Sequence, residues 1–167
     1  MQSLEMPDSH HLSSAIGWME LGLPLEAGAE VALISGPNQN HPDVLEVRWT
    51  LLAESGRWEQ ALEVARALVR VDPGRASGWL HQAYALRRAP EGGLQAAWDA
   101  LMPAWEQFPR ESIIPYNLSC YACQLKRPEE ALDWLRRALR SGGPAEIKRM
   151  AMQDPDLAPL RAQIEQL

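Results

Sequence analysis

Apolar positions along this chain recur at helical spacing in paired runs, separated by short polar turns. Leu45, Trp49 and Leu52 are spaced by four and three, which places them on one face of a helix. Ser55-Gly56 breaks that run. A second run follows, with Ala61, Leu62, Ala65, Leu68 and Val69 on its buried side, and Asp72-Pro73 stops it because proline cannot continue the hydrogen-bond ladder. The same two-run unit recurs along the chain. Ala27, Ala61, Ala97 and Ala131 mark its copies in steps of 34, 36 and 34 residues. Val31, Ala65, Leu101 and Leu135 move with that ladder, as do Ile34, Leu68, Ala104 and Ala138. Gly22, Gly56 and Gly92 precede the first three alanines by five residues, and Lys126 stands there in the fourth copy. One period seen four times predicts four copies of one helix pair.

Within this frame, Trp79, Ala83 and Leu86 predict the first helix of the third copy. The turn Pro90-Glu91-Gly92-Gly93 is two residues longer than its counterparts, and Pro103 is expected to kink the helix that follows. Tyr116 to Cys123 opens the fourth copy, and Pro128-Glu129-Glu130 is a favoured helix start. The first copy, carried by Trp18, Gly22, Ala27, Val31 and Ile34, is the weakest, with a loop at Gly36-Pro37-Asn38. Beyond Gly142-Gly143 the period is lost. Pro144-Ala145-Glu146 reads as another helix start. Asp154-Pro155-Asp156 reads as the cap of a last helix through Leu157, Leu160, Ile164 and Leu167.

These residues resemble the tetratricopeptide repeat. Trp79, Ala83, Leu86, Gly92, Ala97, Leu101, Ala104 and Pro109 match its pattern, as do Gly56, Trp58, Ala61, Ala65, Leu68 and Pro73. Tyr116-Asn117-Leu118-Ser119 with Glu129-Glu130-Ala131-Leu132 looks like a variant of the same unit. Trp49 departs from it, standing where the family has a small residue, so the first helix of the second copy is expected to sit further out. The resemblance implies an all-α, right-handed α-solenoid of about four such helix pairs. On the repeat spacing, residues 1–7 form an N-terminal tail, repeats cover 8–41, 42–75, 76–111 and 112–143, and helices in 144–167 cap the stack. A helix pair of this size cannot bury its apolar stripes alone, and stacking copies does so.

The resemblance also implies a job: binding another protein or a peptide segment in a concave groove lined by the first helix of each repeat. Three columns trace that groove. Leu12, Glu46, Leu80 and Tyr116 form the first, Ile16, Thr50, Tyr84 and Cys120 the second, and Met19, Ala53, Arg87 and Cys123 the third. The lining is apolar and aromatic, with Tyr84 and Tyr116 as expected anchors. Many proteins of the family clamp a peptide carboxylate with Lys, Asn and Arg in these columns, and this chain has Leu, Glu and Tyr instead. The chain's own termini are a second expected occupant of the groove.

Composition narrows the remaining classes. The 167 residues allow one domain with a real core. A net charge of −6 argues against nucleic acid as a partner. Seven tryptophans against one phenylalanine point to wide helix seams. No run of apolar residues is long enough to insert in a membrane, and the start of the chain lacks the features of a secretory signal, so a cytoplasmic protein is expected. Cys120 and Cys123 form a C-x-x-C inside a predicted helix, away from the helix start where such thiols become reactive, and no second pair completes a zinc set. His10-His11 lie near the chain start and His41 in a loop. No catalytic triad, phosphate loop or metalloprotease motif is present, so neither enzyme activity nor a cofactor or metal is expected. The readings this leaves are an adaptor or scaffold, a secretion-type chaperone for a hydrophobic client, a self-associating protein, and a thiol-redox or enzyme-accessory protein using the two cysteines.

Overall fold

A computed structural model describes residues 3–167. All regular structure in them is helical. Helices α1 (Asp8–Glu20) and α2 (Pro24–Leu33) form the first pair, α3 (Pro42–Glu54) and α4 (Trp58–Val71) the second. Helices α5 (Ala76–Arg88) and α6 (Leu94–Gln107) follow, then α7 (Ile113–Gln124) and α8 (Pro128–Ser141). Helix α9 (Pro144–Gln153), a 3-10 segment (Pro155–Leu160) and the short α10 (Arg161–Ile164) complete the chain. This is the all-α solenoid fold read from the repeat. The chain divides into two compact units, one ending at His81 and the other starting at Gln82.

In the first unit α2 packs on α1 and α3, and α3 on α4. Ala27, Ala61 and Ala65 are fully buried, as close helix approach requires. The start of α1 is tied down by Asp8, whose buried carboxylate accepts hydrogen bonds from the Ser35 amide (2.9 Å), the Ser35 hydroxyl and Asn38 Nδ2 (2.6 Å). The loop at Gly36–Asn38 is one 3-10 turn. His11 bonds Glu30 Oε2 at 2.8 Å, joining α1 to α2. Trp49 is also buried, yet α3 still packs on α4, because the indole is spent sideways, stacked on His81 of α5 at 3.7 Å.

In the second unit the seam between α6 and α8 is made of tryptophans. Trp134 meets Trp98 and Trp105 edge to face at 5.8 and 5.6 Å, a favoured aromatic arrangement, and Arg137 lies over the Trp134 ring. Helix α6 runs unbroken through Pro103.

The turns explain the glycine column. Gly22, Gly56 and Lys126 all take a left-handed backbone, with φ of 72°, 69° and 62°. In each case the following amide bonds a carbonyl five residues back, so three turns share one C-cap. The longer third turn differs. There Gly93 carries the positive φ, and Gly92 is needed for space, since a Cβ on it would sit 1.8 Å from the Leu86 carbonyl oxygen.

The last helix departs from the expected one. Asp154 does cap it, accepting from the Asp156 amide at 2.9 Å, but residues 155–160 coil as 3-10. Pro155 and Pro159 each lack an N–H, which interrupts the hydrogen-bond ladder, and regular α-helix resumes only at Arg161.

Candidate functional site

The first helices of the pairs, α1, α3, α5 and α7, carry the residues of the predicted groove. In the first unit Leu12 is buried, Ile16 is 43% exposed, and Glu46, Thr50 and Leu80 are half-buried. Thr50 turns its hydroxyl back onto the Glu46 carbonyl, a common use of threonine within a helix. Glu46 is a junction. It accepts from His81 Nε2 at 2.6 Å and from the Ser77 hydroxyl, and Arg75 lies 3.7 Å away. Burial works against the Glu46 charge, but the hydrogen bonds from His81 and Ser77 outweigh it and hold the carboxyl below its usual range. His81 is fixed twice, by this bond and by the Trp49 stack. Neither Trp49 nor His81 stood among the expected groove residues. The clue in the sequence was the departure at Trp49 itself, an indole where the repeat has a small side chain.

In the second unit the expected residues have another environment. Tyr116 is 5% exposed, and Cys120 and Cys123 are buried. Nearly every residue from Ile114 to Cys123 is buried, because α6 and α8 cover part of α7 and the 3-10 segment covers the face left over. Tyr116 donates to Asp154 Oδ2 at 2.8 Å, and Gln124 donates to the Asp156 carbonyl at 2.9 Å. Arg87 grips the Asp156 carboxylate with both terminal nitrogens, one at 2.7 Å. Tyr116, one of the two expected anchors, has its phenol on the chain's own C-terminal segment. Arg87 and Cys120 are engaged by the same segment. Tyr84 remains 39% exposed, with the Arg88 guanidinium over its ring at 3.5 Å.

The thiols have the electrostatics of core residues. Burial, then the nearby Asp154 and Asp156 carboxylates, push the Cys120 thiol far up, and burial likewise raises Cys123. A reactive cysteine needs the opposite shift. Cys120, Asp154 and Asp156 do bring three possible ligand atoms within 4.8 Å of one another. The cation that serves this cluster is Arg87, with the Tyr116 hydroxyl on the second carboxylate.

No protein-family model and no curated protein matches the chain. Solved structures do resemble it. MamA from Desulfovibrio magneticus RS-1 is 16% identical over 80% of this chain and 75% of its own, with a TM-score of 0.70. YrrB, a TPR protein with an unusual peptide-binding site, is 16% identical over 84% and 72%, with a TM-score of 0.67. TTC0263, a thermophilic TPR protein of Thermus thermophilus, is 20% identical over 96% and 100%, with a TM-score of 0.70. Among the described residues no helix is long and apolar enough to cross a membrane.

Proposed function

We propose that this chain, whose fold is that of the tetratricopeptide repeat proteins, is a protein-interaction module that takes an extended or helical segment of a partner along its first-helix face. The observation that carries this reading is the chain's own C-terminal segment. It lies across Arg87, Tyr116 and Cys120, the positions expected to hold a ligand. Arg87, Tyr116, Cys120 and Gln124 contact it, through two carboxylates and one backbone carbonyl. Leu157 and Leu160 of the same segment are buried. In cis, this surface thus holds a segment through two acidic side chains and a backbone carbonyl.

With α7 occupied, the positions left to a partner are Leu12, Ile16, Glu46, Thr50 and Leu80 of the first unit and, taken separately, Tyr84 of the second. Ile16 and Tyr84 are the exposed large side chains among them, and exposed apolar side chains on a binding face are natural anchors. That YrrB is a TPR protein with a peptide-binding site agrees with this reading.

The test is capture of partners from native lysate, followed by affinity measurement with the captured protein. Ile16→Asp and Tyr84→Ala should each weaken binding at least roughly tenfold, about 1.4 kcal/mol. Glu59→Ala, on an exposed face of α4, serves as the control. Affinity unchanged in both groove variants would remove the reading.

A further inference from the structure

Helix α2 turns one face inward, where Ala27 and Val31 join the core of the first unit. Its other face is bare. Leu25 is 85% exposed and Leu33 62%, with Ala29 and Ala32 exposed between them and Leu21 exposed just before the helix. A single exposed leucine is ordinary, but a row of apolar side chains along a ten-residue helix marks an interface. Glu26 flanks the row.

Beside this ridge lies a groove of about 650 Å³. Pro24, Leu25 and Val31 form one wall, and Leu51, Leu52 and Val64 of α3 and α4 the other. Arg48 and Arg57 stand at its rim against a single acid, Glu63. Among the described residues neither arginine forms an ion pair; their hydrogen bonds go to Gln39 and Gln60.

We infer that this face binds a second copy of the chain, α2 of each copy lying along the groove of the other. The surface carries both halves of an interface side by side: an apolar ridge with an acidic flank, and an apolar groove with a basic rim. Halves that adjoin on one face meet reciprocally about a two-fold axis, the usual geometry of a homodimer. Gly28, Ala29 and Ala32 keep the ridge low enough for close approach of the two helices. Glu26 of each copy faces the Arg57 side of the other. The ridge is only about 15 Å long, which fits a reversible dimer rather than an obligate one. This surface is separate from the first-helix face, so either proposal can fail without the other.

Sedimentation velocity and light scattering across the micromolar range test it. The wild-type mass should rise with concentration toward twice the 18.7 kDa of one chain. The double variant Leu25→Glu, Leu33→Glu should stay at the single-chain mass with an unchanged thermal melt, since both side chains are already exposed. Arg57→Glu should weaken association at least roughly tenfold, and adding Glu26→Arg to it should restore association. A wild type that stays at the single-chain mass throughout, a double leucine variant that associates like wild type, or a charge reversal without rescue would each overturn the proposal.

Discussion

Arg87 of α5 and Asp156 of the C-terminal segment form a two-point ion pair, Nη2 to Oδ1 at 2.7 Å, between residues 69 apart in sequence. Both side chains keep about a quarter of their surface in water, 24% and 21%. The pair therefore lies between an exposed bridge and a buried one. Arg87→Met should cost about 1–2 kcal/mol, and a double-mutant cycle with Asp156→Asn should return a coupling near 1 kcal/mol. Thermal and urea unfolding check both numbers. Additive effects would show that the pair fixes geometry without contributing stability.

The titratable groups of α7 predict an alkaline limit to stability. Burial, followed by neighbouring carboxylates, raises Cys120 and Tyr116 above their ordinary values of 9.0 and 10.0, and Tyr121 and Cys123 are raised as well, burial again leading. The unfolded chain loses these protons first. Their contribution is complete below pH 9 and falls as pH rises beyond it, by up to about 1.4 kcal/mol per pH unit for each proton. Urea midpoints between pH 7 and 11 would show this decline. A flat profile would contradict it. By the same reasoning, Cys120 should resist thiol reagents in the native state and react freely in denaturant.

The acid limb has the opposite sign. The hydrogen bonds from Ser35 and Asn38 hold Asp8 below its usual range, and those from His81 and Ser77 do so for Glu46. Their stabilisation is present above the unfolded values of 3.8 and 4.5 and is lost as pH falls below them. Glu46→Gln should flatten the acid limb in a pH-dependent melt. An unaltered limb would mean that other carboxylates dominate it.

The turn residues offer a pair of substitutions with opposite signs. Lys126 holds a left-handed backbone at φ 62°, which a Cβ disfavours, so Lys126→Gly should stabilise by about 0.5–1 kcal/mol. Gly92→Ala would drive a Cβ into the Leu86 carbonyl and should cost about 2–3 kcal/mol or more. Calorimetry on the two variants distinguishes the roles. A stabilising Gly92→Ala would contradict the close approach.

The ladder alanines have no room beside them. Ala61 and Ala97 are fully buried, and Ala97→Trp or Ala61→Trp should over-pack the seam by about 1–3 kcal/mol. A melting temperature unchanged by either would mean that the helix pairs do not close on these positions.

Local, periodic features were legible along the chain. The helix pairs, the buried alanine ladder, the Asp154 cap and the turn positions all follow from spacing, from proline's missing donor and from glycine's freedom, and each of these acts within a few residues. What α7 faces was set by long-range packing. The pairing of Arg87 with Asp156, of Tyr116 with Asp154, and the stack of Trp49 on His81 join residues 32 to 69 positions apart. The first two pairs involve the C-terminal segment, which lies outside the repeat, and the Trp49–His81 stack sits where Trp49 departs from the repeat pattern. The same holds for Leu25 and Leu33. Their helical spacing was plain in the sequence, but helical spacing alone does not say which of two apolar faces of α2 the core takes and which it leaves to water.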